Sequence, residues 1–412
     1  MGSCTWHGRY ANLIANLGEY GAHGRWTFCG LGACVDAVLS AHDAVGVLLA
    51  SSEPPARMLG QMLAQRAGTG VGGEMRVRWD AGPAWLDGAL PPRKAMGGTG
   101  PHAARVLTLL GAPALLALGH RDAEQMACVD GDIYLAKDGR PTPARDVAPH
   151  GVPRPKIYIF EFTAGRPVGS TVAPRSSRII VRFGDPGLED DPEFEALSTA
   201  LASDAGAGVL SGFSGVGDAG LDQAVSRAQP LGLRWRAAGV PVVHLEMAGY
   251  DTPELRNRTM AGLRGAFSSI GFSQSEYRAF VPGDAPETSS IVATAERLGV
   301  DRLCVHADTW ALAATRHDPD HERTALMMGC LLASTRAALG RPARPTALDP
   351  AVLFEAPPQE AQEGPWNIVA CAAPYLPQPV TTLGLGDTFM AGCLLVLGQP
   401  HRPEAGRTRR VT

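Results

Sequence analysis

Short apolar segments alternate with segments of helical periodicity along most of this 412-residue sequence. The apolar segments have the length and composition of buried strands, whereas the segments between them repeat apolar residues at helical spacing. This alternation predicts a mostly parallel sheet flanked by helices, which is an α/β fold. The predicted strands are 26–31, 114–118, 179–183, 208–211, 240–246, 302–306 and 368–372, and the predicted helices are 102–110, 192–202, 223–238, 254–265, 289–298 and 322–339.

Two regions, 70–79 and 126–172, interrupt this alternation. The first region, and the segments 132–136 and 156–162 within the second, alternate apolar and polar residues. Such a pattern predicts half-exposed antiparallel strands. A chain of this length can bury two cores, so we expect an α/β core accompanied by a smaller β-rich domain.

The charge balance argues against nucleic acid and membrane as partners. Lys and Arg number 37 and Asp and Glu number 41, so the surface offers no general attraction to polyanions. The first residues lack the apolar core of a signal peptide, and the longest apolar run, 112–118, is too short to span a bilayer. A small-molecule substrate and a cytoplasmic location are therefore predicted.

Eight cysteines are scattered along the sequence without a Cys-x-x-Cys pair. Several fall in apolar segments, which predicts small buried thiols in a reducing compartment rather than a disulfide framework or a zinc site. They are Cys4, Cys29, Cys34, Cys128, Cys304, Cys330, Cys371 and Cys393.

A glycine-flanked aspartate in the segment 380–389 carries the clearest chemical signal. Gly384 and Gly386 allow the backbone to approach a ligand closely, and the helical run that follows directs free N–H groups at an anion. Asp387 beside such an anion hole can accept the proton of a substrate hydroxyl as that hydroxyl attacks phosphorus. The segment predicts a phosphoryl-transfer site; the alternative is a Gly-rich turn in which Asp387 only caps a helix.

The segment 379–388 resembles the C-terminal signature of the ribokinase-like kinases, in the form found in ADP-dependent glucokinases and phosphofructokinases. Three further segments resemble the same branch in the same order: 27–39 its first strand and sugar-contacting aspartate, 96–111 its Gly-Gly sugar loop, and 242–246 its His-x-Glu strand end. The resemblance implies a ribokinase-like sandwich closed by a smaller β-rich lid. We expect the core at 1–43, 93–125 and 173–412 and the lid at 44–92 and 126–172.

For the phosphate side of the site, the resemblance implies Asp387 as the general base and the turn with Gly384 and Gly386 as the anion hole. Thr382 and Leu385 would contact the nucleotide from the same turn. The resemblance also implies ADP as the donor, with ATP as the alternative. No Gly-x-x-x-x-Gly-Lys-Ser/Thr segment occurs, which argues against a P-loop kinase.

Arg178 lies in the segment 173–180, which resembles a family segment whose arginine binds nucleotide phosphates. The guanidinium fork suits phosphate oxygens and can stabilise the transferred group. Arg175 and Arg182 are alternatives for this contact. A solvated strand edge would also explain three arginines within eight residues.

On the acceptor side, Asp36 follows a predicted strand, where an open α/β sheet presents residues to its ligand crevice. Gly97 and Gly98 let backbone N–H groups approach a hydroxyl at the start of the next helix. Glu74 resembles a lid residue that presents a carboxylate to the sugar. The alternatives are an N-cap of a helix beginning near position 37 for Asp36, a ligand-free helix start at the two glycines, and an exposed strand charge at Glu74.

Two residues of the acceptor side depart from the family pattern. The family usually carries Asn where this sequence has Cys34, and again where it has Thr99. An amide both donates and accepts hydrogen bonds, and a site built to bind particular hydroxyls discriminates strongly when such partners change. We therefore expect glucose to be a poor acceptor, and a nucleoside, a modified sugar or a sugar phosphate to be better.

Glu246 ends a predicted strand, with His244 on the same face. The resemblance implies that Glu246 helps to hold Mg²⁺ near the phosphates, which suits an ion that prefers oxygen ligands and keeps much of its water. The alternative is a structural carboxylate satisfied by neighbouring helix starts. The sequence thus predicts an ADP-dependent sugar kinase; a carbohydrate or nucleotide sensor without turnover is a further alternative, and the oligomeric state is not predicted.

Overall fold

Two large β-sheets, and a separate two-stranded pairing of 167–168 with 171–172, organise the computed structural model of the protein, which describes residues 5–281 and 288–400. The strands in chain order are β1 (Trp26–Cys29), β2 (Cys34–Ser40), β3 (Gly73–Arg76), β4 (Arg93–Gly97), β5 (Ala114–Leu116), β6 (Tyr134–Lys137), β7 (Arg140–Pro143), β8 (Ile157–Phe162), β9 (Pro167–Val168), β10 (Thr171–Val172), β11 (Ser177–Arg182), β12 (Ala205–Leu210), β13 (Val242–Glu246), β14 (Ser269–Ser273), β15 (Arg302–His306), β16 (Trp310–Thr315), β17 (Ala361–Glu363) and β18 (Trp366–Ala372). The helices are α1 (Trp6–Ala22), α2 (Ala41–Ala50), α3 (Pro54–Gly68), α4 (Gly82–Ala89), α5 (Thr99–Leu110), α6 (Ala123–Met126), α7 (Pro192–Ala200), α8 (Asp218–Ala237), α9 (Pro253–Gly262), α10 (Gln274–Phe280), α11 (Thr288–Leu298), α12 (Pro319–Leu339) and α13 (Leu385–Leu397).

The larger sheet, which we call the main sheet, contains eleven strands in the order β17-β18-β16-β15-β14-β13-β12-β1-β5-β6-β7. All pairings from β15 across to β6 are parallel, and the pairings at both edges are antiparallel. This arrangement confirms the predicted α/β architecture. Two strands were not predicted: β14, which is short and contains two serines, and β16, whose alanines favour a helix.

Helices cover both faces of the main sheet. Because successive side chains of a strand point to opposite faces, Cys29 of β1 packs into the layer formed with α1, α5, α12 and α13. Its neighbour Phe28 packs into the other layer, against Trp235 of α8. Burying an aromatic or large aliphatic side chain contributes about 1.5–3 kcal/mol, so the two layers together hold the sheet in place.

The smaller sheet, which we call the second sheet, contains five strands in the order β3-β11-β8-β2-β4. Along β8, Tyr158 and Phe160 face outward and pack against α2, α3 and α4. Ile157 and Ile159 alternate with them and point inward, where they contact Leu383 from the segment before α13. The inner face of the second sheet therefore lies over the start of α13.

The chain passes between the two sheets at four places. These crossings lie between β1 and β2, between β4 and α5, between β7 and β8, and between β11 and α7. The first two touch each other, because a side chain on Gly98 would collide with the carbonyl oxygen of Gly32. Gly98 also has φ of 97°, a conformation that favours glycine.

The strands divide between the two sheets differently from the predicted domain boundaries. β2, β4 and β11 belong to the second sheet although they fall in segments predicted for the core, and β6 and β7 pair with the main sheet although they fall in the predicted lid. β3 pairs in parallel with β11, not antiparallel as predicted. A local apolar pattern identifies a strand but not its partner, which lies far away in sequence. The predicted core also includes 1–4, 282–287 and 401–412, which lie outside the described residues, as does Cys4.

Within 5–281 and 288–400, no helix is long and apolar enough to cross a membrane. The seven cysteines of these ranges are free, and five of them are buried. Burial raises the pKa of the Cys29 thiol well above its usual value, so this thiol is protonated at neutral pH.

Candidate active site

The carboxyl ends of the parallel strands and the inner face of the second sheet meet around the start of α13, and we call this region the crevice. It is the position expected for a ligand site in an α/β protein. β13 ends there at Glu246 and β15 at His306. The ring of His306 packs 4.9 Å from that of Phe389 on α13, and a Cβ on Gly386 would lie 3.3 Å from His306 Cε1. The strand ends therefore meet the first turn of α13.

Residues 384–386, which we call the anion turn, open α13 at the rim of the crevice. Gly384 is the N-cap residue, with φ of 66°, and the helix begins at Leu385. The N–H groups of this first helical turn have no partners within the helix, so they are free for a ligand. Asp387 is the third helical residue and does not cap the helix, so its interpretation as a plain N-cap is wrong.

The guanidinium of Arg336, from the last turn of α12, lies directly beneath the anion turn. A Cβ on Gly384 would come within 2.5 Å of Arg336 Cζ, so only glycine fits there. Arg336 Nη1 donates a hydrogen bond to Thr388 Oγ1 at 3.0 Å, and Thr388 Oγ1 donates to the carbonyl of Gly384 at 2.8 Å. A buried cation thus holds the turn from behind.

Several charges act on Asp387. Burial raises the pKa of its carboxyl above the usual value, and the nearby Glu246 raises it further. The Thr99 hydroxyl, Arg336 and Arg178 oppose this by lowering the pKa of Asp387. The net effect is a carboxylate of increased basicity, which suits a general base.

Asp36 lies in the middle of β2 and is only 5% exposed. The next helix, α2, begins at Ala41, so the alternative interpretation of Asp36 as an N-cap is wrong. Burial raises the pKa of Asp36 to about 7; the Cys34 thiol lowers it, and Asp387 across the crevice raises it. A side chain on Gly97 would collide with the Asp36 carboxyl, so the backbone of β4 passes directly over this group.

The two residues that depart from the family pattern both face carboxylates. Cys34 Sγ donates to Asp36 Oδ1 at 3.6 Å. Thr99, the first residue of α5, interacts with Asp387 through its hydroxyl. Both side chains therefore donate hydrogen bonds within the protein. A thiol or a hydroxyl offers fewer hydrogen-bonding groups than an amide would.

The three candidate arginines occupy different surroundings. Arg178 of β11 lowers the pKa of Asp387, and its buried Nε has no hydrogen-bond partner among the described residues. Arg182 donates from Nε to Glu74 Oε2 at 2.8 Å. Arg175 is exposed. Of the three, Arg178 is the one near Asp387, and Glu74 is part of an ion pair rather than an exposed strand charge.

Glu246 is held by two histidines. His244 Nε2 lies 2.8 Å from Glu246 Oε2, and His306 Nε2 lies 3.9 Å from Oε1. Burial opposes ionisation, but the hydrogen bond from His244 and the interaction with the nearby His306 lower the pKa of Glu246 to about 2. Burial and the nearby Glu246 raise the pKa of Glu276, which forms a capping box with Ser273 at the start of α10. Histidines satisfy Glu246, not the helix starts considered as its alternative partners.

The surroundings of Glu246 can be tested for their fit to Mg²⁺. Within the ranges 5–281 and 288–400, no three His, Cys, Asp or Glu side chains are arranged to hold a metal ion by themselves. Glu246 and Glu276 nevertheless offer oxygen ligands, and Mg²⁺ is commonly held by one or two carboxylates together with water and phosphate oxygens. The residues fit an ion that arrives with a nucleotide, not a preformed metal centre.

The segment before the anion turn connects the two sheets. Thr381 Oγ1 donates to Glu161 Oε1 of β8 at 2.7 Å. Thr382 Oγ1, by contrast, is buried without a hydrogen-bond partner in the part of the chain that the structure describes. Leu385 and Gly386 are partly exposed, as is Asp387. The predicted nucleotide contacts therefore share one rim of the crevice.

Three residues in or beside the crevice were not predicted from the sequence: His306, Glu276 and Arg336. His306 gave a usable signal, because a polar residue at the carboxyl end of a parallel strand lines the ligand crevice. Glu276 follows β14, a strand that its sequence did not predict. Arg336 gave no signal, since an arginine in the last turn of a helix ordinarily complements the helix dipole.

Comparison with known proteins gives a family match over most of the chain. The ADP-specific phosphofructokinase/glucokinase conserved region matches residues 26–396. An ADP-dependent glucose/glucosamine kinase of Pyrococcus abyssi (strain GE5 / Orsay) is 23% identical over 273 residues, which are 58% of this chain and 60% of that protein. The match thus spans only 60% of the length of this curated relative.

Two solved structures resemble the whole molecule. An ADP-dependent kinase in complex with fructose-6-phosphate and ADPβS has a TM-score of 0.80 at 17% identity, covering 97% of this chain and 99% of that one. A phosphofructokinase from Pyrococcus horikoshii OT3 with AMP has a TM-score of 0.69 at 17% identity, covering 91% and 98%. At such identities the likeness establishes the fold, and it confirms the predicted α/β fold.

Proposed function

The chain belongs to the ADP-specific phosphofructokinase/glucokinase family, and on that premise we propose that it transfers a phosphoryl group from ADP to a hydroxyl of a sugar-like acceptor. One observation carries the proposal: Asp387 lies in the first turn of a helix, beside the anion turn and across the crevice from Asp36. This arrangement brings a base, an anion-binding helix start and a second carboxyl together at one site.

In the proposed reaction Asp387 accepts the proton of the acceptor hydroxyl while the hydroxyl oxygen attacks the terminal phosphorus of ADP. The bond from that phosphorus to the bridging oxygen breaks, and AMP leaves. The raised pKa of Asp387 supports this role, because proton transfer is most effective when the base titrates close to the working pH. Asp36 binds an acceptor hydroxyl and thereby orients the attacking group.

The donor phosphates bind at the anion turn in this proposal. Free N–H groups of the first turn of α13 point at an anion, and the helix dipole favours negative charge there. The buried Thr382 Oγ1 and Arg178 Nε, which have no hydrogen-bond partners among the described residues, are donors suited to phosphate oxygens. Arg178 then stabilises the charge that spreads over the transferring group.

Mg²⁺ is the cofactor that we propose, with Glu246 and Glu276 as the residues that hold the ion and its waters. When bound, it neutralises negative charge on the nucleotide phosphates. His244 and His306 keep Glu246 ionised and fix its orientation.

We propose an acceptor that carries a further chemical group, such as a phosphate, in addition to its hydroxyls. Cys34 and the apolar inner face at Ile157 and Ile159 offer few hydroxyl partners. Two arginines, Arg182 paired with Glu74 and Arg154 paired with Glu189, are near enough to lower the pKa of Cys34. An arginine fork near the acceptor suits a phosphate group. A sugar phosphate is therefore favoured, with a nucleoside or modified sugar as the second candidate and glucose as the weakest.

The test is a matrix of ADP and ATP against glucose, hexose phosphates and nucleosides, with all products identified by mass. Formation of AMP and a phosphorylated acceptor from ADP is expected, with a hexose phosphate used better than glucose. If ATP is converted to ADP and no AMP forms from ADP, the donor assignment is wrong. If neither nucleotide yields a phosphorylated product with any acceptor, the proposed activity is wrong.

A further inference from the structure

Arg336 combines deep burial with an unusual lack of charged partners. Its side chain is 5% exposed at the end of α12, beneath the anion turn. Among the described residues its hydrogen-bond partners are two neutral groups, Thr388 Oγ1 at 3.0 Å and His102 Nδ1 at 3.4 Å. Its Nε is buried and has no partner there. A guanidinium in such a place is not held by a direct ion pair.

His102 accepts this hydrogen bond as a neutral imidazole. Burial and the positive charges around it, Arg336 first among them, lower the pKa of His102 well below its usual value. His102 lies in the first half of α5, the helix that Thr99 opens. Arg336 therefore connects α5, the helix that follows Gly97 and Gly98, with α13, the helix that the anion turn opens.

A buried cation without a counter-ion is unfavourable, and removing its charge usually does not destabilise a protein. The compensation here comes from across the crevice. Burial lowers the pKa of Arg336 to about 10, while the carboxylates Asp387 and Asp36 act in the opposite direction. Inside a protein such charges interact more strongly than in water, so Arg336 offsets negative charge gathered around the crevice.

We propose that Arg336 is a positioning residue for the phosphoryl transfer assigned to this site: it fixes the anion turn through Thr388 and supplies a permanent positive charge behind the transferring group. The inference rests on the proposed function. Arg336 is almost fully buried and its guanidinium lies against Gly384, so in this role it contacts the turn and not a substrate. It acts through the turn, and through the charge that it presents to Asp387 and to the phosphates that would bind there.

A purely structural role would give different results from this one. If Arg336 only filled space, any replacement that preserved folding would leave the acid–base behaviour of the site unchanged. If it acts by its charge, the neutral variant Arg336→Gln and the charged variant Arg336→Lys must behave differently. Lysine keeps the charge but loses the planar fork that reaches Thr388 and His102 together.

The first experiment measures kcat/KM against pH for wild type, Arg336→Gln and Arg336→Lys. Loss of the cation leaves Asp387 with less opposition to its protonation, so in Arg336→Gln the acidic limb moves up by about one pH unit, and turnover near pH 7 falls about 10- to 100-fold. Arg336→Lys keeps the limb within about half a unit of wild type. An acidic limb at the same pH in all three proteins would overturn the proposal.

The groups that face Asp387 or Arg336 in this titration are Asp36 of β2, Arg178 of β11, Glu246 of β13, His306 of β15, and Thr99, His102 and Arg105 of α5.

The second experiment needs no turnover. It measures urea unfolding midpoints near pH 8 for Arg336→Gln in the wild-type and Asp387→Asn backgrounds. If the two charges are coupled, the loss of midpoint caused by Arg336→Gln shrinks by at least about half when Asp387 is neutral. If Arg336→Gln alone does not fold, recovery of folding in the Asp387→Asn background supports the same coupling.

The matched control is Asp222→Asn, which neutralises a carboxylate whose side chain is 85% exposed. In the Asp222→Asn background, Arg336→Gln is expected to lower the urea unfolding midpoint as much as it does in wild type. Equal losses in the Asp387→Asn and Asp222→Asn backgrounds overturn the proposal. An inactive wild-type protein would refute the proposed kinase activity. The unfolding measurements would still show whether Arg336 and Asp387 are coupled, so failure of the one proposal can be told from failure of the other.

Discussion

On the donor side of the crevice, two polar atoms are buried without hydrogen-bond partners among the described residues, Thr382 Oγ1 and Arg178 Nε. On the acceptor side the polar groups bond to one another: Cys34 to Asp36, and Arg182 to Glu74. A phosphate entering the donor side gains hydrogen bonds without breaking any. An acceptor must replace bonds that already exist, so its affinity depends on how well its own groups match those partners.

The sharpest test of this contrast removes the group that both sides share. Asp387→Asn keeps the size of the side chain but deletes the base, so turnover should fall by about 10² to 10⁴ while ADP affinity changes little. Steady-state product formation and calorimetric ADP binding measure the two effects. The variant should fold normally, because burial already favours the neutral form of this group. Turnover near the wild-type rate in a folded variant would remove Asp387 from the mechanism.

Next in size is the loss of the arginine on the donor side. Arg178→Gln should lower kcat/KM for ADP by about 10- to 100-fold, because it removes a charge-assisted donor near the transferring group. Arg175→Gln is the matched control, three residues earlier in sequence and exposed, and it should stay within about 2-fold of wild type. Initial rates at varied ADP concentration decide between them. If Arg175→Gln has the larger effect, the phosphate contact belongs to Arg175.

The acceptor side can be tested by restoring the family pattern. In the double variant Cys34→Asn, Thr99→Asn, two amides replace the thiol and the hydroxyl, and a hydrogen bond to a neutral partner contributes about 0.5–1.5 kcal/mol. Relative kcat/KM for glucose should therefore rise by about 5- to 100-fold against that for the preferred acceptor. Competition between two acceptors, read by mass, measures the ratio directly. An unchanged ratio would mean that these positions do not select the acceptor.

The smallest expected effect separates adjacent threonines. Thr382→Val removes a hydroxyl without a partner among the described residues, so it should weaken ADP binding by about 2- to 10-fold without lowering the free energy of unfolding. Thr381→Val removes a hydroxyl bonded to Glu161, so it should lower stability by about 1 kcal/mol and leave ADP affinity nearly unchanged. Calorimetric titration and urea unfolding of both variants test the pair. The reverse pattern would contradict the assignment of unpaired groups to the donor side.

The same contrast explains what could be predicted from the sequence. The anion turn and Asp387 come from consecutive residues, so their chemistry can be predicted from one short segment. Most strands of the main sheet can be predicted in the same way, because strand–helix alternation is a local pattern. Sheet membership was less predictable: β2 follows β1 after four residues yet pairs in the other sheet.

The remaining site residues depend on contacts between distant segments. Arg336 reaches the anion turn only because α12 packs against α13, and the residue itself looks like an ordinary helix end. Thr99 looks like a lost amide in the sequence, whereas the fold directs its hydroxyl at Asp387. Such pairings follow from tertiary packing and leave no periodic trace in the chain.

The two crossings that touch at Gly32 and Gly98 have a mechanical consequence. Asp36 and Gly97 lie within a few residues of these crossings, whereas Glu161 and Arg178 lie farther from them along the strands of the second sheet. Any rotation of the second sheet about this contact would act as a lever with its pivot at the acceptor. The same small angle would scarcely move Asp36 and would carry Arg178 through a longer arc toward or away from the anion turn. One motion would thus displace the acceptor site very little and the donor-side Arg178 much more.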